Sequence, residues 1–288
     1  MKTGHRRIAG YVVGTLLALC GAVWLAGSVL SYPAHRHLGS LPSDLHGRSV
    51  QFASTSGAAL SGWLIPGRPG YGAVALMHGV RDSRLSMIER ARFLAREGYA
   101  VLLFDFQAHG ESTGDRITFG YLESRDAQAA VDFLRQNVPD EKIGVIGASL
   151  GGASTLLATP PLAVNAMVLE SVFPNIELAV TDRLTAHLGK WAGVMTPLLT
   201  MQFKPRLGFG PEALRPQDHV AGITAPKFFI AGSEDHHTTI DEARQLFNAA
   251  AEPKQFWAVK GAAHVDLYRF AGKEYEQRVL AFLKQNLQ

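Results

Sequence analysis

Residues 142–155 read KIGVIGASLGGAST, and the reading of this stretch decides the fold. A short apolar run at 143–146 is followed by Gly147-Ala148-Ser149-Leu150-Gly151-Gly152 and then by a small-residue helical pattern. That is strand, sharp turn and helix, with a serine at the apex. A serine in such a turn has a strained backbone, and glycines two positions to either side let strand and helix pass closely. The geometry lifts the hydroxyl clear of the sheet and aims the positive end of the helix at any negative charge forming beside it. A Gly-Ser-Gly turn is also compatible with a plain loop, so the flanking segments decide.

Working outward, residues 49–55 and Ala59–Ile65 flank Ser56-Gly57 and read as a hairpin. Ala73–Met77 is a continuous apolar strand running into His78-Gly79-Val80. Residues 86–97 have helical spacing closed by Gly98, and 99–106 form another apolar strand. The spacing predicts a loop over 107–119 and a helix over 121–137 before Pro139. After the opening stretch, 164–170 is a buried-type strand, and 227–231, 241–251, 255–259 and 274–287 read strand, helix, strand, helix. Continuous apolar strands alternating with amphipathic helices predict an α/β fold with a mostly parallel sheet covered on both faces. The hairpin supplies an antiparallel edge. Residues 172–225 break the alternation with helical patterns at Ile176–Leu188 and 191–203, and a Gly- and Pro-rich stretch at 204–216. This insertion is too long for a plain crossover. It reads as a small helical cap over the strand ends, where open α/β sheets keep their ligands, or as one decorated crossover helix.

The N-terminus is of another kind. Lys2, Arg6 and Arg7 precede 23 uncharged residues at 8–30. At about 1.5 Å per residue a helix of that length spans roughly 34 Å, enough for a bilayer's hydrocarbon core. Residues 1–31 therefore read as a transmembrane anchor and 32–288 as the folded domain. A cleavable signal peptide ending near Ala26-Gly27-Ser28 and secretion are the alternative. Leu19 is too large for the position before Cys20 in a lipidation box. The preceding positive charges predict a single pass with a cytoplasmic N-terminus and the domain on the outer or periplasmic side. Residues 31–47 read as a solvated linker, including His35-Arg36-His37, whose spacing alone is a poor metal site.

At 288 residues, 47% of them hydrophobic, the chain holds one large domain or two small ones with ample core. A net charge of +3 with no aromatic-interleaved basic cluster argues against nucleic-acid binding. A single cysteine, Cys20, excludes an intrachain disulfide and a cysteine-based zinc site.

A serine hydroxyl is barely nucleophilic at neutral pH and needs a base and a group to orient that base. Two late strand ends offer them: Gly232-Ser233-Glu234-Asp235-His236-His237 and Gly261-Ala262-Ala263-His264. The order Ser149, Asp235, His264 is that of nucleophile, acid and histidine in one fold family. Glu234 and Glu170 compete with Asp235 for the acid. His236 and His237 read as solvent-exposed loop residues. The oxyanion donors are expected to be the backbone amides of Leu150, after the nucleophile, and Val80.

Over residues 49–288 these motifs, with Asp105-Phe106-Gln107-Ala108-His109-Gly110-Glu111-Ser112, resemble the α/β-hydrolase fold superfamily. The chain is most similar to membrane-anchored members of the serine aminopeptidase-like and monoglyceride-lipase-like kinds. The resemblance implies an eight-stranded sheet and the Ser149–Asp235–His264 triad. The family commonly carries Arg-Gly before the His-Gly pair; Gln107-Ala108 stands here, in a loop whose role is mainly structural. His78-Gly79-Val80 is similar to the oxyanion sequence of esterases acting on medium or smaller acyl groups.

The function expected is a serine hydrolase cleaving carboxylic esters or related acyl compounds through an acyl-serine intermediate. It needs no cofactor and no metal, and its partners are a small acyl substrate and the membrane. The sequence does not speak to oligomeric state. The same triad serves amidases, aminopeptidase-like peptidases and acyltransferases. A catalytically silent membrane-associated binding protein is the rival from another class, although such proteins usually lack a triad residue.

Overall fold

The computed structural model describes residues 2–288. In chain order it begins with helix α1 (Lys2–Ser31), the two-residue strand β1 (Ala34–His35) and the strands β2 (Arg48–Ala53) and β3 (Ala59–Ile65). Then come β4 (Ala73–Met77), α2 (Ile88–Glu97), β5 (Ala100–Phe104), the two-residue β6 (His109–Gly110) and α3 (Glu123–Asn137). The elbow stretch forms β7 (Ile143–Ala148) and α4 (Leu150–Leu157), followed by β8 (Ala166–Glu170). The long connection carries α5 (Ile176–Leu188), α6 (Thr196–Thr200), α7 (Phe203–Leu207) and α8 (Pro216–His219). Strand β9 (Lys227–Gly232), α9 (Ile240–Ala249), β10 (Lys254–Val259), α10 (Leu267–Ala271) and α11 (Lys273–Leu287) follow.

Eight strands form one sheet in the order β10-β9-β8-β7-β4-β5-β3-β2, parallel except where β3 runs against both neighbours. The central strands are apolar throughout because both faces are covered. Along β4, Val74 and Leu76 face α2 and α11, while Ala73, Ala75 and Met77 face α3 and α4. The period of two splits one strand between two cores. The edge strand β2 alternates and opens on exposed Arg48, which suits a strand with one free side.

The chain crosses from β4 to β5 on one side and returns to β7 on the other. This switch leaves a crevice at the carboxyl ends of β4 and β7, where His78-Gly79 and Ser149 stand.

Three expectations change in detail. The helix expected over 191–203 is broken into a 3-10 turn (Lys190–Met195), α6 and α7. Gly189 at φ 92° stops α5, and Pro197, lacking an amide hydrogen, sits in the first turn of α6. The helix expected from residue 121 starts at Glu123, after Gly120 at φ 120°. The linker is largely exposed, as expected, but it is also pinned: β1 pairs with β6 in parallel, and His35 Nε2 donates to the Gly114 carbonyl at 3.1 Å. The helical segments α5, α6 and α7, termed the cap below, line a cavity that Ser149 also borders. Within α1, Val13–Ser31 is long and apolar enough to cross a bilayer.

Candidate active site

Ser149 sits at φ 49° and ψ −106°, a conformation that a residue with a side chain adopts only under constraint. Its amide donates to the Glu170 carbonyl at 2.8 Å, which ties the turn to the neighbouring strand end. A Cβ on Gly147 would lie 2.5 Å from the Gly152 nitrogen, and one on Gly151 would lie 2.7 Å from the Met77 carbonyl carbon. Both contacts are with backbone, which cannot swing away. Gly151→Ala should therefore destabilise the protein by about 1–3 kcal/mol, read as a lower midpoint in urea unfolding. An unchanged midpoint would mean that the elbow tolerates a methyl group.

Asp235 and His264 come from loops stitched together at the ends of β9 and β10. The Glu234 amide donates to the Ala262 carbonyl at 2.9 Å and the Gly261 amide to Ser233 Oγ at 2.8 Å. His264 Nδ1 donates to Asp235 Oδ2 at 2.8 Å. Asp235 Oδ1 accepts from the His237 and Thr238 amides at 2.8 and 2.9 Å. Burial opposes ionisation of this carboxyl. The His264 hydrogen bond and charge and the two amides outweigh it, so Asp235 titrates below the usual carboxylate value.

The competing acids are placed elsewhere. Glu234 is exposed. Glu170 accepts from Arg90 Nη2 at 2.6 Å and Nε at 3.0 Å and from the Tyr275 hydroxyl, all buried. His236 is exposed as expected, whereas His237 is half-buried with its ring 5.2 Å from that of His264. Ser149 Oγ makes no hydrogen bond among the described residues; it borders a cavity that His264 also borders.

Among the described residues, the Val80 and Leu150 amides donate to no partner. The loop holding Val80 is fixed by two buried histidines. His78 Nδ1 donates to the Gly79 carbonyl at 2.7 Å, and its Nε2 accepts from the Phe106 amide at 3.1 Å. His109 Nδ1 donates to the Gln107 carbonyl at 2.8 Å, and its Nε2 accepts from the Arg81 amide at 3.1 Å. Each ring uses one nitrogen as donor and one as acceptor, which only the neutral tautomer allows.

Burial pushes both imidazoles down to about 4. The unfolded chain takes up these protons near pH 6.5, and the folded chain refuses them until near 4. Stability is thus full above pH 6.5 and declines as the pH falls from 6.5 toward 4. In His109→Gln the dependence of unfolding free energy on pH across that window should weaken by about one proton. An unchanged slope would mean that His109 is not held neutral.

Two cavities meet at Ser149. One, of about 180 Å³, is lined by Val80, Leu150, Phe119, Phe173 and residues of the cap, and among the described residues its only charged lining residues are Arg81, Arg183 and Arg206. The other, of about 190 Å³, carries the charged and polar side chains His264, Asp82, Ser86, Arg90, Glu170 and Asp266 on its border.

The profile of the serine aminopeptidase (S33) family, a family of α/β hydrolases, matches residues 69–216, just over half of the chain. The chain belongs to that family. It is a hydrolase of the α/β fold. YfhR of Escherichia coli O157:H7 is 24% identical over 264 residues, 88% of this chain and 85% of that protein. Rv2307c of Mycobacterium tuberculosis is 29% identical over 248 residues, 83% of this chain and 80% of that one. The solved structure of the Pyrococcus furiosus esterase Pf2001 superposes with a TM-score of 0.74 at 26% identity, covering 90% of this chain and 99% of that one.

Within this α/β hydrolase, the departure at Gln107 has a structural role. Gln107 Nε2 donates to Glu123 Oε1 and to the Arg116 carbonyl, both at 2.7 Å, which closes the loop over the start of α3. Sequence reasoning missed the buried Arg90–Glu170–Tyr275 network. It missed Arg84 as well, which binds Asp105 and Glu111 and stacks 4.2 Å over Trp63. A charged residue on an otherwise apolar helix face, as Arg90 is on α2, was the available signal.

Proposed function

We propose that this α/β hydrolase is a serine hydrolase cleaving carboxylic esters, held at a membrane by α1 with its N-terminus cytoplasmic. The observation that carries the reading is the His264 imidazole, oriented by Asp235, on a cavity shared with Ser149. With Nδ1 donating to Asp235, Nε2 is the nitrogen left to take the Ser149 proton as the hydroxyl attacks the acyl carbon. The Val80 and Leu150 amides hold the oxyanion, each worth about a hundred- to a thousand-fold in rate. His264 then gives its proton to the leaving alcohol, and water, deprotonated by the same ring, hydrolyses the acyl-serine.

The two cavities support a division of the substrate. The alcohol leaves on the side that His264 borders, where the ring can protonate it, and the acyl group lies in the other cavity. An aminopeptidase would need a carboxylate for the substrate amine, and among the described residues no cap carboxylate lines either cavity. Glu177 pairs with Arg215 at 2.7 Å. Asp182, pushed up to about 7 by burial and then by Glu242 and Asp235, faces those two acids. The similarity to a protein named an esterase points the same way.

A fluorophosphonate probe should label the full-length protein at Ser149 and fail to label Ser149→Ala. Labelling that persists in the variant would place the nucleophile elsewhere.

A further inference from the structure

The cap is fastened to the N-terminal helix. Gln202 Nε2 donates to the Val23 carbonyl at 3.0 Å, and Arg206 donates to the Trp24 carbonyl at 2.5 Å and to Ser28 Oγ at 2.7 Å. The Arg206 guanidinium also lies 4.1 Å from the centre of the Trp24 ring, a cation–π contact. From the other side, Arg81 Nη1 donates to the Val29 and Tyr32 carbonyls at 3.2 and 3.1 Å. It thereby caps the helix end with a positive charge. Arg81 follows Val80, so the end of α1 is tied directly to the loop that carries a proposed oxyanion donor.

These contacts make α1 part of the site. Gly27, Leu30 and Ser31 wall the apolar cavity together with Leu199, Phe203 and Leu207 of the cap. Gly27 sits tightly against the cap: a Cβ there would collide with the Gln202 side-chain oxygen and lie 3.2 Å from Arg206 Nε. A signal-peptide cut near Ala26-Gly27-Ser28 would remove the Val23 and Trp24 contacts with the cap.

The surroundings identify what reaches the cavity. Val23 to Ser31 is about 12 Å of helix, so a cap that grips Val23 stands alongside the last turns of a bilayer-length apolar run. Trp191, Val194, Leu198 and Met201 on the cap are between 45% and 79% exposed. Large apolar side chains clustered on an exposed face mark a surface that is covered in use. With α6 packed on α1, the medium beside them is the headgroup and acyl boundary, where apolar faces sink by about 5–10 Å.

We propose that the apolar cavity is an acyl-chain site built jointly by α1 and the cap, and that it takes the acyl chain of a bilayer lipid ester. Its turnover rests on the serine-hydrolase reading above; its binding does not. At about 180 Å³ the cavity exceeds an apolar cavity of ~150 Å³ that holds benzene, so it receives roughly six to eight carbons. Longer chains trail back into the leaflet.

The full-length protein in phosphatidylcholine nanodiscs tests this with p-nitrophenyl butyrate and octanoate. Gly27→Leu should lower the octanoate-to-butyrate ratio of kcat/KM by about tenfold or more. Leu25→Phe, on an exposed part of the same helix, should keep the ratio within about twofold. A ratio unchanged in Gly27→Leu overturns the shared wall.

A diazirine-bearing octanoyl ester photolysed with Ser149→Ala reads binding without turnover. Crosslinks on residues 24–31 and 199–207 support the site, and crosslinks confined elsewhere overturn it. Crosslinks at those residues in a protein that hydrolyses no ester would support the acyl site and overturn the serine-hydrolase reading instead.

Discussion

Ser149→Ala should reduce kcat on p-nitrophenyl butyrate by about 10⁶-fold, with the fold retained. The size of the loss follows from how the parts depend on one another. Without the hydroxyl, the His264–Asp235 pair has no proton to move and no acyl-enzyme forms. Only the oxyanion donors and substrate binding remain, worth roughly 10³–10⁴ over water in enzymes of this kind. Ser149 Oγ makes no hydrogen bond among the described residues, so its removal orphans no partner, and the elbow is held by glycine contacts and the Ser149 amide. Circular dichroism and the urea midpoint should match the parent. Residual activity within about a hundredfold of the parent would point to a different nucleophile.

Asp235→Asn should cost about 10⁴-fold in kcat with little change in KM. The particular hydrogen bonds say why. Asp235 Oδ1 accepts two backbone amides, from His237 and Thr238. In the variant those amides hold the carboxamide oxygen, which turns its NH₂ toward His264 Nδ1. The imidazole must then accept at Nδ1 and carry its proton on Nε2, the nitrogen needed to receive the serine proton. The ring keeps its place and has the wrong tautomer. Glu170→Ala is the contrast. It strips the buried Arg90 of its bidentate partner and should cost about 3–5 kcal/mol of stability while leaving the His264–Asp235 contact in place. If Glu170→Ala abolished turnover in folded protein and Asp235→Asn did not, the acid would have been misassigned.

Much of this was legible because it is encoded locally. AVALM, AVLLF and AMVLE are apolar at every position but one, and only a strand covered on both faces has a use for that pattern. Gly147 and Gly151 announced a close crossing of strand and helix, and both do meet backbone where a Cβ would stand. The order Ser149, Asp235, His264 followed from three motifs at three strand ends. The acid was harder, since Glu170, Glu234 and Asp235 are chemically equivalent on paper. Of the three, only Asp235 touches His264 among the described residues, and that contact depends on where β9 ends relative to β10. The break of the cap at Gly189 and Pro197 was visible as residues, but the apolar spacing across 191–203 suggested one helix.

By itself, then, the sequence determined the strand–helix alternation, the elbow and the apolar N-terminal run, because each depends on residues within a turn or two of one another. Tertiary structure alone decided which carboxylate touches His264, how His78 and His109 hold the Val80 loop, and that Gly27, Leu30 and Ser31 stand beside the cavity of Ser149. Those contacts join residues 28 to 182 positions apart, and no local pattern of polarity or size records which distant groups will be brought within a few ångströms.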